Sequence, residues 1–351
     1  MNIFIDIGHP GHVHYFRKLI YHFKSQNHSV TVSARNRDVV KDLLNFYKIE
    51  YFDRGEGKNS VLGKLFYMFK TDWLFFKRLR KTKPDLFVSF SSPYAAQTAW
   101  LFRKPHIAFN DTEHSDKFHK VFTYPFSKTI VTPDTYQNNL GKKQIRFKGI
   151  MEDIYLNKNV FSVEKLTGIN KPFVILRFIS WNAHHDIGQK GLTLEAKRKL
   201  ISLLEKKYSV LISSEEKLDS EFEKYRLDIA PEKIHYVLAM AKLFVGESGT
   251  MASESSYLGV PTVYINSLPL MCYLKLEQEC GILRQFKSSK GVLEYVEMLL
   301  TELDSNKFKE QSEKMKSRFI KSDQFVTWFI ENYPKSLKIM KENPEYQYRF
   351  K

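Results

Sequence analysis

The sequence AKLFVGESGTMASESSYLGVPTVYI, residues 241–265, contains two apolar runs separated by a loop and a helical stretch. The runs KLFVGE (242–247) and PTVYI (261–265) are typical of buried strands, and residues 250–258 are predicted to form a helix between them. This order of strand, loop, helix and strand is the repeating unit of a parallel α/β sheet. The stretch therefore predicts an α/β fold, with the loop Ser248-Gly249-Thr250 at the carboxyl end of a strand.

The residues of this loop suit a diphosphate. Gly249 lets the backbone approach a ligand closely, and a helix that begins here offers free N–H groups and partial positive charge. Ser248 and Thr250 add hydroxyl donors, and Glu254, one to two turns into the helix, is positioned to accept hydrogen bonds from ribose hydroxyls. The alternative is an ordinary capped helix, with Ser248 or Thr250 as its N-cap.

The same alternation of strand and helix runs through the chain and predicts two α/β blocks. The blocks meet at the polar stretch around 150–170, which gives domains at 1–155 and 156–322 and a helical tail at 323–351 that crosses back to the first domain. Ligands are expected at the carboxyl ends of the strands, in the cleft between the blocks. The predicted strands are 2–7, 28–34, 85–90, 106–109, 129–132, 172–178, 208–213, 242–247 and 261–265. The predicted helices include 37–47, 61–81, 94–102, 193–207, 217–227, 235–241, 250–258 and 273–280.

Composition narrows the class of protein. The chain has 351 residues and a formal net charge of +16, which implies an anionic partner such as a phosphorylated metabolite, an acidic membrane surface or nucleic acid. Its two cysteines, Cys272 and Cys280, cannot build a disulfide framework or a cysteine-based zinc site, so a reducing cytoplasmic location is expected. No stretch of about 18 uncharged apolar residues predicts a transmembrane helix.

The loop GHPGHVH, residues 8–14, follows the first predicted strand. Gly8 and Gly11 permit a tight turn, and His9, His12 and His14 are expected to project from the loop, near the acceptor. An imidazole there can act as a general base toward an acceptor hydroxyl or donate to a phosphate. The alternatives are a helix-capping loop with exposed histidines and, less favoured, a metal site.

The segment FNDTEHS, residues 109–115, also follows a predicted strand. Asp111 and Glu113 are candidates for acid–base catalysis, with His114 as their partner. The alternative is an Asx-type turn with capping residues.

The first loop of the second block, within RFISWNAHHDIGQKG (177–191), is rich in polar groups. Arg177 can make bidentate contacts to a diphosphate, and Ser180 and His185 are further candidate donor-binding residues. Trp181 can stack on a base or a sugar, or serve as a buried hydrophobic anchor.

Residues 64–83 mix aromatic side chains with seven basic residues and one acid, Asp72. A helix would gather Leu65, Phe69, Trp73 and Phe76 on one face, which fits an anionic membrane surface. The alternative is a packed helix whose aromatic side chains face the sheet and whose lysines are solvated.

The stretch SGTMASESSYLGVPTVYI resembles the nucleotide-sugar signature of GT-B enzymes, and its motifs are similar to those of UDP-N-acetylglucosamine 2-epimerases and the peptidoglycan-precursor N-acetylglucosaminyltransferase. Over about residues 1–285 the chain more closely resembles a largely uncharacterised family of predicted glycosyltransferases. The segments that carry this resemblance are HVHYF (12–16), FNDTEHS (109–115), RFISWNAHHDIGQKG (177–191) and GTMASESSYLGVP (249–261).

The resemblance implies a GT-B fold, with two doubly wound Rossmann-like domains facing across a cleft, and no bound metal or cofactor. It assigns the ribose to Glu254, matches His12 to a histidine of the cleft, and matches Asp111 and Glu113 to catalytic acids of the epimerases. Two departures stand out: Thr250 replaces the second glycine of the epimerase loop, and His184-His185 replaces a His-Arg pair.

The function expected first is transfer of a sugar from a nucleotide-diphosphate sugar, most simply a UDP-sugar. The acceptor would be a glycan or a lipid-linked molecule in cell-surface polysaccharide synthesis, with the protein peripheral on the inner face of the membrane. The alternative is a nucleotide-sugar 2-epimerase or hydrolase that uses the same donor site. A nucleic-acid-binding protein is suggested only by net charge, and no recognition signature supports it, so no nucleic acid partner is expected.

Overall fold

The computed structural model describes residues 1–58, 60–162, 171–179, 191–214, 217–301, 303 and 305–351. It divides into two compact units, Met1–Tyr155 with Phe319–Lys351 (unit 1) and Leu156–Arg318 (unit 2). The sequence-based domain boundaries are 155/156 and 322/323. Within the described ranges, no helix has the length and apolar character needed to cross a membrane.

Unit 1 is built on a parallel seven-stranded sheet in the order β3-β2-β1-β4-β5-β6-β7. Its strands are β1 (Asn2–Ile7), β2 (Ser29–Ala34), β3 (Phe52–Asp53), β4 (Leu86–Ser89), β5 (His106–Phe109), β6 (Thr129–Pro133) and β7 (Gln144–Phe147). The helices of its first 155 residues are α1 (Pro10–Ser25), α2 (Asp38–Phe46), α3 (Val61–Thr82), α4 (Pro93–Leu101), α5 (Asp116–Phe122) and α6 (Asp153–Leu156), the last of which ends in unit 2.

Burial explains why the central strands of unit 1 have continuous apolar runs. Ile3, Phe4, Ile5 and Ile7 of β1 are all buried, as expected for a parallel sheet covered by helices on both faces. Helix α1 contributes Phe16 and its apolar neighbours to the same core. The strand order changes direction between β1 and β4, so the carboxyl ends of these strands form the edge at which such sheets bind ligands.

Unit 2 has a parallel five-stranded sheet in the order β12-β11-β10-β8-β9. Its strands are β8 (Phe173–Phe178), β9 (Ser209–Ser214), β10 (Phe244–Gly246), β11 (Thr262–Ile265) and β12 (Leu283–Phe286). Its further helices are α7 (Leu194–Leu204), α8 (Ile234–Met240), α9 (Gly249–Tyr257), α10 (Leu274–Cys280), α11 (Val292–Thr301) and α12 (Ser305–Lys316).

One predicted helix of unit 2 is wrong. The stretch 217–227 contains only a 3₁₀ turn at Glu223–Tyr225 instead of an α-helix. Arg226 pairs with Glu223 three residues earlier, and Glu223 also accepts the backbone N–H of Leu218. These local contacts stabilise a compact turn in place of a regular helix.

The C-terminal segment completes unit 1 with helices α13 (Ser322–Glu331) and α14 (Lys335–Glu342). Phe325 and Phe329 of α13 lie in the main core of this unit. The final residues, PEYQYRFK (344–351), predict a loosely held end of the chain, and this prediction is wrong. Tyr346 stacks on Trp328 with ring centroids 4.9 Å apart, and the Gln347 side chain accepts the backbone N–H of Lys148 at 2.7 Å.

Candidate functional site

One candidate site, in unit 2, is the N-terminus of α9 at the carboxyl end of β10. Ser248 is the N-cap and its hydroxyl accepts from the backbone N–H of Met251, so the capping role proposed for Ser248 is correct. Ser248 and Gly249 are half-buried and Thr250 is exposed, which leaves the start of the helix open to solvent. A β-carbon built on Gly249 would lie 2.7 Å from Leu270, so a side chain at this position would displace Leu270.

Arg177 lies beside this helix start. It is the register partner of Gly246 across the β8–β10 pair, and a β-carbon on Gly246 would lie 2.9 Å from the Arg177 carbonyl oxygen. The Arg177 guanidinium donates to the Ser213 hydroxyl at 3.0 Å, and Ser213 in turn contacts the sulfur of Met251 in the first turn of α9. A fixed guanidinium next to open helix amides is a favourable setting for a diphosphate.

Glu254 occupies a different position from the one its predicted role suggests. Its carboxylate is buried and accepts from His235 Nε2 of α8 at 3.0 Å. A ribose at this carboxylate would therefore meet a group already engaged by a histidine. His235 was not singled out in the sequence, because only the packing of α8 on α9 brings the two residues together.

Glu247 is a second group that sequence inspection missed. Its side chain is fully buried, and its two oxygens accept the backbone N–H groups of Ile179 at 3.0 Å and Leu192 at 2.7 Å. Ile179 and Leu192 lie on either side of the segment that contains the candidate donor-binding residues Ser180 and His185, so one carboxylate holds the chain at both of these positions. The predicted contacts of Ser180, Trp181, His184 and His185 lie outside the described residues.

A separate candidate site, in unit 1, is the carboxyl edge of its sheet, beginning at the β1–α1 connection. His9 caps α1 by accepting from the Gly11 N–H, so Gly11 lies in the first helical turn. His12 Nδ1 accepts the backbone N–H of Gly8 at 3.3 Å, and its ring stacks on Phe90 with centroids 4.8 Å apart. Burial, followed by the positive charges of His9, Arg54 and Arg37, lowers the pKa of His12 well below its usual value.

These contacts define the chemistry open to His12. A neutral ring whose Nδ1 accepts a hydrogen bond carries its proton on Nε2, so Nε2 is a donor. The geometry therefore suits His12 to donation toward an anion more than to proton abstraction. The sequence left both roles open.

His14 does not project from a loop, contrary to expectation. It lies inside α1, is buried, and stacks with Tyr155 at a centroid distance of 6.0 Å. Helical periodicity turns position 14 inward, and the proline that begins α1 places the helix start earlier than expected. Among the described residues, no group of three His, Cys, Asp or Glu side chains is arranged to hold a metal ion.

The predicted acids lie after β5, at the same edge of the sheet. Asp111 is half-buried, and burial, with a smaller contribution from the charge of Glu113, raises the pKa of Asp111 to about 6. Glu113 is buried and accepts the backbone N–H of Gln137 at 3.0 Å, which gives it a structural contact. Tyr15 is also buried, and its burial, followed by the negative charge of Asp111, raises the pKa of the Tyr15 hydroxyl well above its usual value.

A hydrogen-bond network around Asp116 holds this loop in place. The buried Asp116 carboxylate accepts from Tyr124 at 2.8 Å, Tyr136 at 2.6 Å and Asn138 at 2.9 Å. Asn110, which directly precedes Asp111, donates to both tyrosine hydroxyls. The network therefore fixes the backbone on either side of the two predicted acids.

Helix α3 presents the predicted aromatic face to solvent. Phe69 is 69% exposed and Trp73 is 62% exposed, whereas Tyr67, Phe75 and Leu79 of the opposite face are buried. The alternative in which these aromatic side chains face the sheet is therefore wrong for Phe69 and Trp73. The same exposed face carries Arg80, and Lys77 lies over the Trp73 ring at 5.1 Å.

Comparison with known proteins identifies the family. A family described as "Protein of unknown function (DUF354)" matches residues 1–317. The chain belongs to the DUF354 family. The DUF354 chain is also 24% identical over 316 residues to "Uncharacterized protein MJ0665" from Methanocaldococcus jannaschii, with 85% of this chain and 91% of that protein covered.

Solved structures with the same fold extend over nearly the whole DUF354 chain. The S. aureus MnaA–UDP structure has a TM-score of 0.72 at 12% identity and covers 96% of this chain and 98% of its own. The structure of UDP-GlcNAc 2-epimerase from Neisseria meningitidis bound to UDP-GlcNAc has a TM-score of 0.63 at 14% identity, and it covers 96% of this chain and 100% of its own. Spinosyn rhamnosyltransferase SpnG with spinosyn aglycone gives 0.62 at 10% identity, covering 95% and 100%. The DUF354 chain therefore has the predicted α/β GT-B fold.

Proposed function

We propose that this protein is a nucleotide-sugar enzyme of the GT-B type, and specifically a glycosyltransferase that uses a UDP-sugar donor. The observation that carries the proposal is the open N-terminus of α9 with Arg177 fixed beside it. The similar solved structures hold UDP, UDP-GlcNAc or, in another SpnG structure, thymidine diphosphate, which supports a nucleoside diphosphate as the ligand class. Glu254 is the candidate ribose ligand and Ser248, Gly249 and Thr250 are the candidate diphosphate ligands.

In this proposal unit 2 stabilises the leaving group. The acceptor oxygen attacks the anomeric carbon of the donor, the bond from that carbon to the diphosphate oxygen breaks, and the nucleoside diphosphate leaves with the electron pair. The helix amides and Arg177 stabilise the negative charge that develops on the diphosphate. These fixed positive groups allow the reaction to proceed without a bound metal or another cofactor.

Unit 1 supplies the acid–base groups. Asp111 is the candidate base that takes the proton from the acceptor hydroxyl, because a carboxyl with a pKa near 6 is ionised at neutral pH and still accepts a proton effectively. Glu113 raises the pKa of Asp111 and anchors the loop. His12 donates from Nε2 to an anionic group, in line with its Nδ1 contact to Gly8.

The exposed face of α3 supports a peripheral membrane location and a lipid-linked or glycan acceptor. Phe66, Phe69, Trp73 and Phe76 are exposed on a helix that also carries Lys70, Lys77, Arg80 and Lys81. Aromatic side chains insert at the lipid headgroup boundary and basic side chains attract anionic lipids. Co-sedimentation with phosphatidylglycerol vesicles should fall when Phe69, Trp73 and Phe76 are replaced by serine, and unchanged sedimentation contradicts this location.

A thermal-shift panel of UDP, GDP and CMP and their sugars tests the donor class directly. UDP should raise the melting temperature in a concentration-dependent way, because a ligand that binds only the folded state stabilises it. Incubation of the same sugars with candidate acceptors should then release nucleoside diphosphate. No shift with any nucleotide contradicts the proposal.

A second candidate is a nucleotide-sugar 2-epimerase or hydrolase with the same donor site. Two observations favour it: the charge of Glu113 acts on Asp111, and the structure of a putative UDP-N-acetylglucosamine 2-epimerase from Listeria monocytogenes gives a TM-score of 0.70 at 12% identity. An epimerase interconverts sugars without an acceptor, and a hydrolase releases the free sugar. Sugar analysis of the reaction without acceptor therefore separates these activities from transfer.

A further inference from the structure

Three arginines meet where the first three strands of the unit 1 sheet end. Strands β1, β2 and β3 are neighbours, and Gly8, Arg35 and Arg54 are the first residues after them. The Arg35 N–H bonds the Ile7 carbonyl and the Arg54 N–H bonds the Ala34 carbonyl, which brings the three positions to one edge. Arg37, two residues after Arg35, adds a third guanidinium. We call Arg35, Arg37 and Arg54 the arginine cluster.

Arg54 is held rigidly, with one nitrogen left over. It is buried, its Nε donates to Asp6 at 2.8 Å, and its Nη1 donates to the Tyr67 hydroxyl at 2.7 Å. The remaining Nη2 lies against Gly8, since a β-carbon built there would be 3.2 Å from it and 3.9 Å from the His12 ring. Arg54 Nη2 and the His12 ring therefore lie around the same glycine.

Arg35 is also partly enclosed by the protein, but it has no acidic partner among the described residues. Its Nε is buried without a hydrogen-bond partner, and across the part of the chain that the structure describes neither Arg35 nor Arg37 forms an ion pair. A β-carbon on Gly57 would overlap the Arg35 guanidinium, so this glycine leaves the space in which the guanidinium sits. The nearby acids Asp53 and Glu56 are exposed.

This arrangement is unfavourable unless an anion joins it. Three positive charges lie together, and the buried acid Asp6 offsets one of them, because its Oδ1 accepts from both Arg54 and Ser33. Burial, followed by the positive charges of Arg37 and Arg54, lowers the pKa of Arg35, as expected when like charges repel each other. Guanidinium groups bind phosphate through paired N–H donors, and clustered guanidinium groups create a local positive potential.

We propose that the arginine cluster, with His12 Nε2, is a second anion site that binds a phosphate group of the acceptor. The assignment of this phosphate to the acceptor rests on the function proposed above, in which the donor diphosphate binds at α9 in unit 2. Arg35 and Arg54 hold the phosphate by charged hydrogen bonds, and the neutral His12 adds a donor. The acceptor is therefore a phosphate ester or diphosphate, either lipid-linked or soluble.

Calorimetry on the full chain with inorganic pyrophosphate, in the presence of saturating UDP, tests the second site. Pyrophosphate should bind the UDP-saturated protein, and R35Q should weaken this binding about tenfold, the effect expected for a lost charged hydrogen bond. R37Q should weaken it less, because Arg37 is exposed. The matched control K24Q removes an exposed charge near the opposite end of α1 and should bind as the wild type does.

The outcomes separate this proposal from the proposed function. UDP binding without any R35Q-sensitive pyrophosphate binding overturns the second site and leaves the donor site standing. Absence of UDP binding, with pyrophosphate binding that R35Q weakens, overturns the proposed function and supports the anion site. Loss of UDP affinity in R35Q assigns the cluster to the donor diphosphate and overturns the acceptor assignment.

Two competitors distinguish the source of the phosphate. Glycerol 3-phosphate represents a soluble ester, and dodecyl phosphate in phosphatidylcholine vesicles represents a lipid-linked one. Displacement of pyrophosphate by one of them supports the proposal and identifies the source. Failure of both to displace it overturns the assignment to a phosphate-bearing acceptor.

Discussion

The two candidate regions differ in the chemical groups that they offer to a ligand. The start of α9 in unit 2 offers backbone amides, a capping serine and one fixed arginine, and its Thr250 is exposed. The carboxyl edge of unit 1 instead gathers ionisable side chains whose pKa values are shifted by burial, with Asp111 raised and His12 lowered. The first arrangement suits binding of a fixed charge through backbone groups, whereas the second combines a carboxyl suited to proton transfer, Asp111, with a neutral hydrogen-bond donor, His12.

The two regions should also differ in how strongly they respond to single side-chain substitutions. A helix start binds through backbone groups, so individual side-chain changes there remove only part of the binding energy. The unit 1 edge depends on single side chains whose surroundings set their charge. Substitutions should therefore separate binding from catalysis.

The largest expected effect is on catalysis. Asp111→Asn removes the candidate base and should lower the turnover of the donor identified by the nucleotide panel about 10²–10⁴-fold, with UDP affinity unchanged. Lys117→Gln, a change at an exposed residue of α5 just after the same loop, is the control. If Asp111→Asn keeps a turnover within a few-fold of the wild type, Asp111 is not the base, and the catalytic role given to this edge of unit 1 is contradicted.

The next largest effect is on stability and concerns Glu254. Glu254→Ala leaves the buried His235 without its carboxylate and should lower the free energy of unfolding by about 2–4 kcal/mol. Glu254→Gln keeps an oxygen that can accept from His235, so this variant should be more stable than Glu254→Ala. It should still weaken the binding of UDP. Chemical denaturation and calorimetry of both variants test this, and equal stability of the two contradicts the role assigned to the histidine contact.

Asp72 on α3 shows what burial does to a carboxyl outside both regions. One of its oxygens is buried without a partner, and burial raises the pKa of Asp72 to about 8. Because the carboxyl ionises in the unfolded chain near pH 4, its folding penalty grows from about pH 4 to pH 8. Asp72→Asn should therefore stabilise the protein by about 1–2 kcal/mol at pH 8 and less at pH 5. Denaturant unfolding at both pH values is the measurement, and destabilisation at pH 8 would contradict the prediction.

The smallest effect is a shift in a pH profile. Ionised Asp111 acts as the base, so activity should fall as the pH drops through about 6. Glu113→Gln removes a negative charge that raises the Asp111 pKa, so the acidic limb should move to lower pH by less than about one unit. A limb that moves upward, or a profile without a limb near 6 in the wild type, contradicts the assignment of Asp111.

The central strands and most helices could be predicted from sequence, because parallel strands buried on both faces leave continuous apolar runs. The short strands β3, β7 and β12 were missed. Phe52–Asp53 has two residues, and Gln144–Phe147 and Leu283–Phe286 mix polar with apolar side chains at sheet edges. Such strands are specified by pairing with a neighbour, which a local pattern does not contain.

Of the candidate site residues, some could likewise be identified from the sequence, whereas others depend on contacts that only the fold creates. Ser248, Thr250 and Asp111 could be identified because each lies next to a strand that the sequence reveals. The His235–Glu254 contact joins residues 19 apart and the Arg54–Asp6 contact joins residues 48 apart, so neither could be inferred without the fold. The burial of His14 and the pKa shifts likewise arise from tertiary packing.

Calorimetric titration of the full chain with UDP tests the central claim, which is that the start of α9 and Arg177 bind a nucleoside diphosphate. The account predicts saturable one-to-one binding that R177Q weakens about tenfold or more, and that the exposed-arginine control R284Q leaves unchanged. Absence of UDP binding to the wild type, or equal affinity in R177Q, would contradict the claim.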